Sequence, residues 1–105
     1  DDLLPRVAEL ASGGAREMFS AEPMPPEDKI ASANAYIGAF PVAEALSHGA
    51  DIVITGRCVD SAVTLGACIH AFNWAPDALD RLAAGSLVGH LIECGPQVTG
   101  GNFTD

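Results

Sequence analysis

The sequence predicts an α/β fold: a three-layer βαβ segment with parallel strands, excised from a larger domain. Residues 51–55 form a short β-branched run bounded by glycines, which is typical of a central parallel strand. Strand and helix signals alternate along the chain with short glycine-rich joints, an order that favours a parallel sheet. The chain starts without Met and ends in a glycine-rich stretch, so we expect a segment of a longer protein.

The first thirty residues are predicted to form a charged helix and a proline-rich surface loop. Asp2 can cap a helix over 3–12, which Gly13-Gly14 ends. Three prolines then break residues 13–29.

Residues 31–105 are predicted to form a core-like βαβα part, so that 1–105 is one segment. A weak strand signal covers 30–35, and helices are predicted at 40–48, from Asp60 or Ser61 to about Phe72, at 77–84 and at 86–94. Pro41 suits a first helical turn, Gly49 suits a C-terminal cap, and Gly85 is interpreted as a helix stop.

Charge and cysteine usage exclude several classes of function. The chain has 14 acidic and 5 basic residues, a net charge of −9, which opposes binding to nucleic acid or an anionic membrane. Residues 1–30 carry 10 of these 19 charges, so the remainder is expected to pack on the rest of its own chain or in a homo-oligomer. Three distant cysteines predict no disulfide framework, and no membrane span or signal segment is evident, so a cytoplasmic location is expected.

The candidate site lies at the carboxyl ends of the two predicted strands, where open parallel sheets bind ligands. Asn34 and Tyr36 lie at the end of the first strand, and Gly56, Arg57 and Asp60 follow the second. Gly56 permits close approach of a ligand, Arg57 suits a carboxylate or phosphate, and Asp60 is a candidate catalytic group at a helix start. The alternative is that Asp60 only caps the helix and Arg57 pairs with it.

A second cluster is His90, Glu93 and Cys94, which share one helical face. His90 is a candidate acid–base catalyst. A metal site is the alternative, but no fourth ligand is evident, so neither a metal nor a cofactor is expected. Cys94 precedes a helix end, whose dipole raises the pKa of a thiol and makes it a poor nucleophile.

Gly100 and Gly101 lie in a glycine-rich loop that is a candidate for wrapping a small-molecule substrate. The alternative is that the glycines serve only the conformation of the loop. The chain has neither a Walker A sequence nor a GxGxxG fingerprint, so nothing points to ATP or NAD.

Several motifs in order resemble the acyclic terpene utilisation (AtuA-like) family, over about residues 31–104. They are Ser32–Ala39 (SANAYIGA), Ala50–Arg57 (ADIVITGR), Asp60–Ala62 (DSA), Ile69–Trp74 (IHAFNW), Asp80–Gly85 (DRLAAG), Gly89–Gly95 (GHLIECG) and Gln97–Gly101 (QVTGG). The resemblance implies a longer bacterial protein encoded beside genes for acyclic terpenoid and branched-chain acyl-CoA breakdown. The family has long been catalogued as a domain of unknown function, and it supplies no established catalytic residues.

Two functions therefore stay open. The first is an enzyme or enzyme subunit that binds an anionic, acyl-CoA-like substrate. The second is a non-catalytic binding or assembly module of the same pathway.

Overall fold

Four α-helices form most of the regular structure in residues 2–101, the part that the computed structural model describes. They are α1 (Val7–Ser12), α2 (Ala39–Ser47), α3 (Ala62–Phe72) and α4 (Leu79–Cys94). Short 3-10 helices cover Leu4–Arg6, Glu27–Lys29 and Gly95–Thr99. The chain divides into two compact units between Ala35 and Tyr36.

The predicted α/β fold with parallel strands is wrong. Across residues 2–101 the pairing of extended backbone is limited to isolated bridges, namely Asp2–Asn34, Arg16–Pro23 and Ile37–Cys58. In the run predicted as a central strand, Ile52 is 82% exposed and Ile54 is 93% exposed. A β-branched run becomes a strand only when neighbouring strands pair with it and cover it, and the described residues provide no such neighbour.

The first unit is built around a helical start. The Leu4 amide donates a hydrogen bond to Asp2 Oδ1 at 2.9 Å, and the 3-10 turn continues directly into α1. The helix predicted over 3–12 is therefore confirmed in part: its first turn is a 3-10 helix, the α-helix begins at Val7, and Val7 is the buried residue of α1.

Local signals also placed α2 and α3 correctly. Pro41 lies in the first turn of α2, and Gly49 follows that helix with φ of +84°, the left-handed conformation that glycine adopts readily. α3 ends at Phe72, as expected, and Asn73 adopts the left-handed conformation after it.

Gly85 does not end a helix. α4 runs through it as one helix of 16 residues, so the two predicted helices at 77–84 and 86–94 are a single element. A glycine inside a helix costs about 1 kcal/mol relative to alanine, which tertiary packing can offset. Here the missing side chain makes room: a Cβ on Gly85 would lie 2.8 Å from atoms of Leu65 and Trp74.

The core of the second unit is made largely of small residues. One buried cluster comprises Ala39, Ala43, Ala62 and Ile69, with Cys58, Leu65, Trp74 and Leu82 packed around it, and Val42 is buried as well. Small side chains let the helices approach closely. Polar side chains on neighbouring helices can then lie close to one another. No helix among the described residues is both long and apolar enough to cross a membrane.

Candidate functional site

In the second unit, the segment that precedes α2 pairs with the segment that precedes α3. The Ile37 amide donates to the Arg57 carbonyl at 2.8 Å, and the Val59 amide donates to the Ile37 carbonyl at 3.0 Å. This pairing puts the Arg57 guanidinium over the ring of Tyr36, with its Cζ 5.0 Å from the ring centroid. At that distance the cation is attracted to the aromatic face.

Asp60 and His90 form the central pair of the site. His90 Nε2 lies 3.9 Å from Asp60 Oδ2, with the His90 side chain 60% exposed and the Asp60 side chain 46% exposed. When His90 is protonated, the carboxylate stabilises the imidazolium. An imidazole held beside a carboxylate is suited to accepting and returning a proton.

The pair exists because α4 packs directly against the start of α3. A Cβ on Gly89 would lie 2.7 Å from the Ser61 carbonyl oxygen, so only glycine allows this approach. The hydroxyls of Ser61 and Ser86 also hydrogen-bond at 3.1 Å. These contacts join the neighbours in sequence of Asp60 and His90, and they fix the two side chains on the same surface.

Three open clefts converge on this pair. The acid–base cleft, of about 300 Å³, is lined by Tyr36, Val59, Asp60, Ser61, Ser86 and His90. The arginine cleft, of about 260 Å³, is lined by residues 55–60 together with Val63 and Glu93. The apolar cleft, of about 280 Å³, is lined by Leu87, His90, Leu91, Cys94, Gln97 and Val98. Asp60 borders the first two clefts and His90 borders the first and third.

The simpler roles considered for Asp60 and Arg57 do not match the geometry. Ser61 holds the N-cap position of α3, and no side-chain cap bond is made there. Within the described part of the chain, Arg57 forms no ion pair with Asp60 or any other carboxylate. Its guanidinium therefore keeps hydrogen-bond donors for a ligand, although Asp60 and Glu93 add negative charge to the same cleft.

Cys94 lies beside two carboxylates. Its Sγ donates to Glu93 Oε2 at 3.4 Å. Partial desolvation, then Glu93 and then Asp60 raise the pKa of the Cys94 thiol above its ordinary value. The expected direction of this shift is confirmed, and burial and the neighbouring carboxylates contribute causes that the sequence argument did not include.

The remaining predicted site residues are dispersed. Asn34 lies in the first unit, where it bridges to Asp2. Gly56 lines the arginine cleft. Gly100 has φ of +74° and ends the 3-10 helix Gly95–Thr99, and the Gly101 amide donates to the Pro96 carbonyl at 3.0 Å. The 3-10 helix Gly95–Thr99 contributes Gln97 and Val98 to the apolar cleft. Neither Gly100 nor Gly101 lines that cleft, so their role in holding a substrate stays a prediction.

The sequence interpretation missed Ser61 and Ser86 as the residues that join the two halves of the site. A usable signal was present, because Gly85 and Gly89 are four residues apart and therefore lie on one face of α4. Two glycines on one helical face indicate close approach of a neighbouring backbone. Interpreting Gly85 as a helix stop concealed that signal.

Fold and site together define a helical protein with a solvent-accessible carboxylate–histidine pair between two clefts, one lined by serine and tyrosine hydroxyls and one by leucine and valine side chains. The chain matches the family model "Acyclic terpene utilisation family protein AtuA" over residues 1–105. It therefore belongs to that family, which associates it with acyclic terpene utilisation. No curated protein and no solved structure matches it.

Proposed function

We propose that this chain acts, as an enzyme or enzyme subunit, on an anionic acyclic terpenoid substrate of the acyl-CoA type. The observation that carries the proposal is the position of the Asp60–His90 pair between the acid–base cleft and the apolar cleft. His90 accepts or donates the proton, and Asp60 stabilises the imidazolium that forms.

The surroundings of the pair suit a substrate with one charged and one apolar end. Arg57 lies over Tyr36, and Tyr36 borders the acid–base cleft. A guanidinium with free donors binds a carboxylate or phosphate oxygen. On the other side of His90, the apolar cleft offers Leu87, Leu91 and Val98 to a branched hydrocarbon chain.

Binding is tested by isothermal titration calorimetry in the presence of a chelator. The ligands are a ten-carbon acyclic terpenoid acyl-CoA, straight-chain decanoyl-CoA and free coenzyme A. We expect the terpenoid ester to bind most tightly and free coenzyme A most weakly. Arg57→Gln should weaken binding by about tenfold, the effect of losing roughly 1.4 kcal/mol of charged hydrogen bonding. Arg81→Gln, which removes the other arginine of the second unit, is the matched control and should change nothing.

Proton transfer is tested by solvent deuterium uptake into the bound acyl-CoA, measured by mass spectrometry. His90→Gln and Asp60→Asn should slow this uptake by a hundredfold or more, within the range of general acid–base contributions. His48→Gln replaces an exposed histidine at the end of α2 and serves as the control. Uptake that survives both substitutions at the pair would contradict the proposal.

The exposure of Ile52 and Ile54 favours a second candidate, a non-catalytic assembly module. Two isoleucines that are more than four-fifths exposed on a low-charge unit are suited to contact with a second copy of this chain. Light scattering coupled to size-exclusion chromatography should then report a dimer that Ile52→Ser/Ile54→Ser converts to monomer. A monomeric wild-type chain would exclude this candidate and would leave the first untouched.

A further inference from the structure

We propose that Asp60, His90 and Cys94 form a binding site for a divalent transition-metal ion of the zinc class. One ligand atom from each residue, a carboxylate oxygen, an imidazole nitrogen and the thiol sulfur, lies within 4.8 Å of the other two. The proposal shares Asp60 and His90 with the proton-transfer pair, so the metal-bound site and the metal-free proton-transfer pair are alternative states, and metal binding is tested without substrate.

Helix geometry supplies two of the three ligands. His90 and Cys94 are four residues apart on α4, so their side chains lie on one face, one turn apart. Neither residue has to leave the helix to contact the same ion. This is the arrangement that lets two residues of one helix coordinate one metal.

The third ligand comes from outside α4 and is held there by backbone contact. Asp60 precedes Ser61, whose carbonyl oxygen packs against Gly89, the residue before His90. The Ser61–Ser86 hydrogen bond fixes the same approach one turn earlier. A carboxylate held in this way against a His/Cys face has a defined place relative to both ligands.

The distances suit closure around a small ion. Zinc bonds of about 2.0–2.3 Å in tetrahedral geometry put ligand atoms roughly 3.4 Å apart. His90 Nε2 and Asp60 Oδ2 are already 3.9 Å apart, and both side chains are half exposed, so rotation alone can bring them closer.

The donor set selects the class of metal. Nitrogen, oxygen and thiolate sulfur together favour zinc or cobalt(II), whereas Mg²⁺ and Ca²⁺ require oxygen ligands. Three protein ligands leave one tetrahedral position for water or a substrate oxygen, which is the pattern of catalytic zinc sites. All three ligands also line clefts that a water or substrate molecule can enter, His90 and Cys94 in the apolar cleft and Asp60 and His90 in the acid–base cleft.

Cobalt(II) is the probe, because its thiolate complexes absorb visibly. Metal-free protein titrated with Co²⁺ should develop a thiolate-to-cobalt charge-transfer band and tetrahedral d–d bands at one equivalent. Cys94→Ser should remove the charge-transfer band, and Asp60→Asn and His90→Gln should each weaken Co²⁺ binding by tenfold or more. Zn²⁺ should displace the Co²⁺ and bleach the spectrum.

Cys58→Ser and Cys68→Ser are the matched controls, since each removes a partly buried free thiol elsewhere in the second unit. Both should retain the full band. Circular dichroism on the same samples confirms that each variant is folded. A wild-type chain without the band at excess Co²⁺, a band that persists in Cys94→Ser, or a band lost in Cys58→Ser would overturn the proposal. Acyl-CoA binding is measured with a chelator present, and Co²⁺ binding is measured without acyl-CoA. Failure of the metal-site proposal is therefore distinct from failure of the acyl-CoA proposal.

Discussion

Replacing Gly66 by alanine measures how closely α2 and α3 pack. A Cβ on Gly66 would lie 2.6 Å from Val42 Cβ and 2.8 Å from the Ala39 carbonyl oxygen. Both atoms are fixed to the backbone of α2, so neither can swing aside. To reach ordinary contact at 3.4 Å, the two helices must separate by about 0.8 Å at this point.

Two opposing terms decide the stability of Gly66→Ala. Alanine improves helix propensity by about 1 kcal/mol. Adding a methyl group to a tight contact costs about 1–3 kcal/mol. Because the atoms that the methyl group would meet are backbone and Cβ atoms, we expect a cost in the upper part of that range. We therefore expect a net loss of about 1–2 kcal/mol, with Tm lower by roughly 4–8 °C for each kcal/mol.

Urea unfolding followed by far-ultraviolet circular dichroism gives the free energy of unfolding. Ala67→Gly is the matched control, because Ala67 is the exposed neighbour of Gly66 in α3 and carries only the propensity term. It should lose about 1 kcal/mol. If Gly66→Ala instead raises the free energy of unfolding by about 1 kcal/mol, helix propensity alone acts at both positions. The close packing of α2 on α3 is then refuted.

Three further predictions concern the pH response, the site geometry and the corrected strand. Hydrogen bonds from the Ser20 backbone and side chain lower the pKa of Glu17. The turn that begins at Glu17 should therefore be stable above the ordinary glutamate pKa and should loosen as pH falls through the lowered pKa. The chemical shift of the Ser20 amide, followed in an NMR pH titration, measures this loosening. Gly89→Ala should move α4 away from Ser61, cost about 1–2 kcal/mol in urea unfolding and weaken Co²⁺ binding. Ile54→Ala should change stability by less than about 0.5 kcal/mol, because the side chain is already in water.

Each of these has a matched comparison. Glu22→Gln should leave the Ser20 amide titration intact, whereas Glu17→Gln should abolish it. Gly85→Ala should cost less than the change at Gly89, since its obstacles are the movable ends of side chains. Ile69→Ala, at a residue only 6% exposed, should lose about 2–5 kcal/mol. Equal losses at Ile54 and Ile69 would reinstate the buried strand.

Helices were predictable here because their signals are local. Pro41 and Gly49 mark the two ends of α2 within a few residues, and no distant contact is needed to interpret them. The run at 51–55 carried an equally strong local signal for a strand, but a strand depends on partners that composition does not specify. The parallel contact between Ile37 and Cys58 is a single bridge, too short to form a sheet.

The sequence singles out individual residues of the candidate site but does not predict their arrangement. Side-chain chemistry alone is enough to single out Arg57, Asp60 and His90 as candidate functional groups. Their proximity depends on residues that carry no functional group, above all Gly89, where the absence of a Cβ lets the Ser61 backbone approach α4. A single sequence does not show which glycine is used for flexibility and which for close packing.

This dependence gives the site a particular sensitivity. At Gly66 and Gly89 the helix separation is set by contact with backbone and Cβ atoms of the neighbouring segment, which cannot rearrange to absorb an added methyl group. Because Asp60 and His90 sit next in sequence to the contacting residues, a shift of α4 passes directly into the distance between their side chains. Substitutions at Gly89 should therefore impair ligand or metal binding before they unfold the chain. Substitutions at Gly66, where α3 contacts α2, should affect stability first.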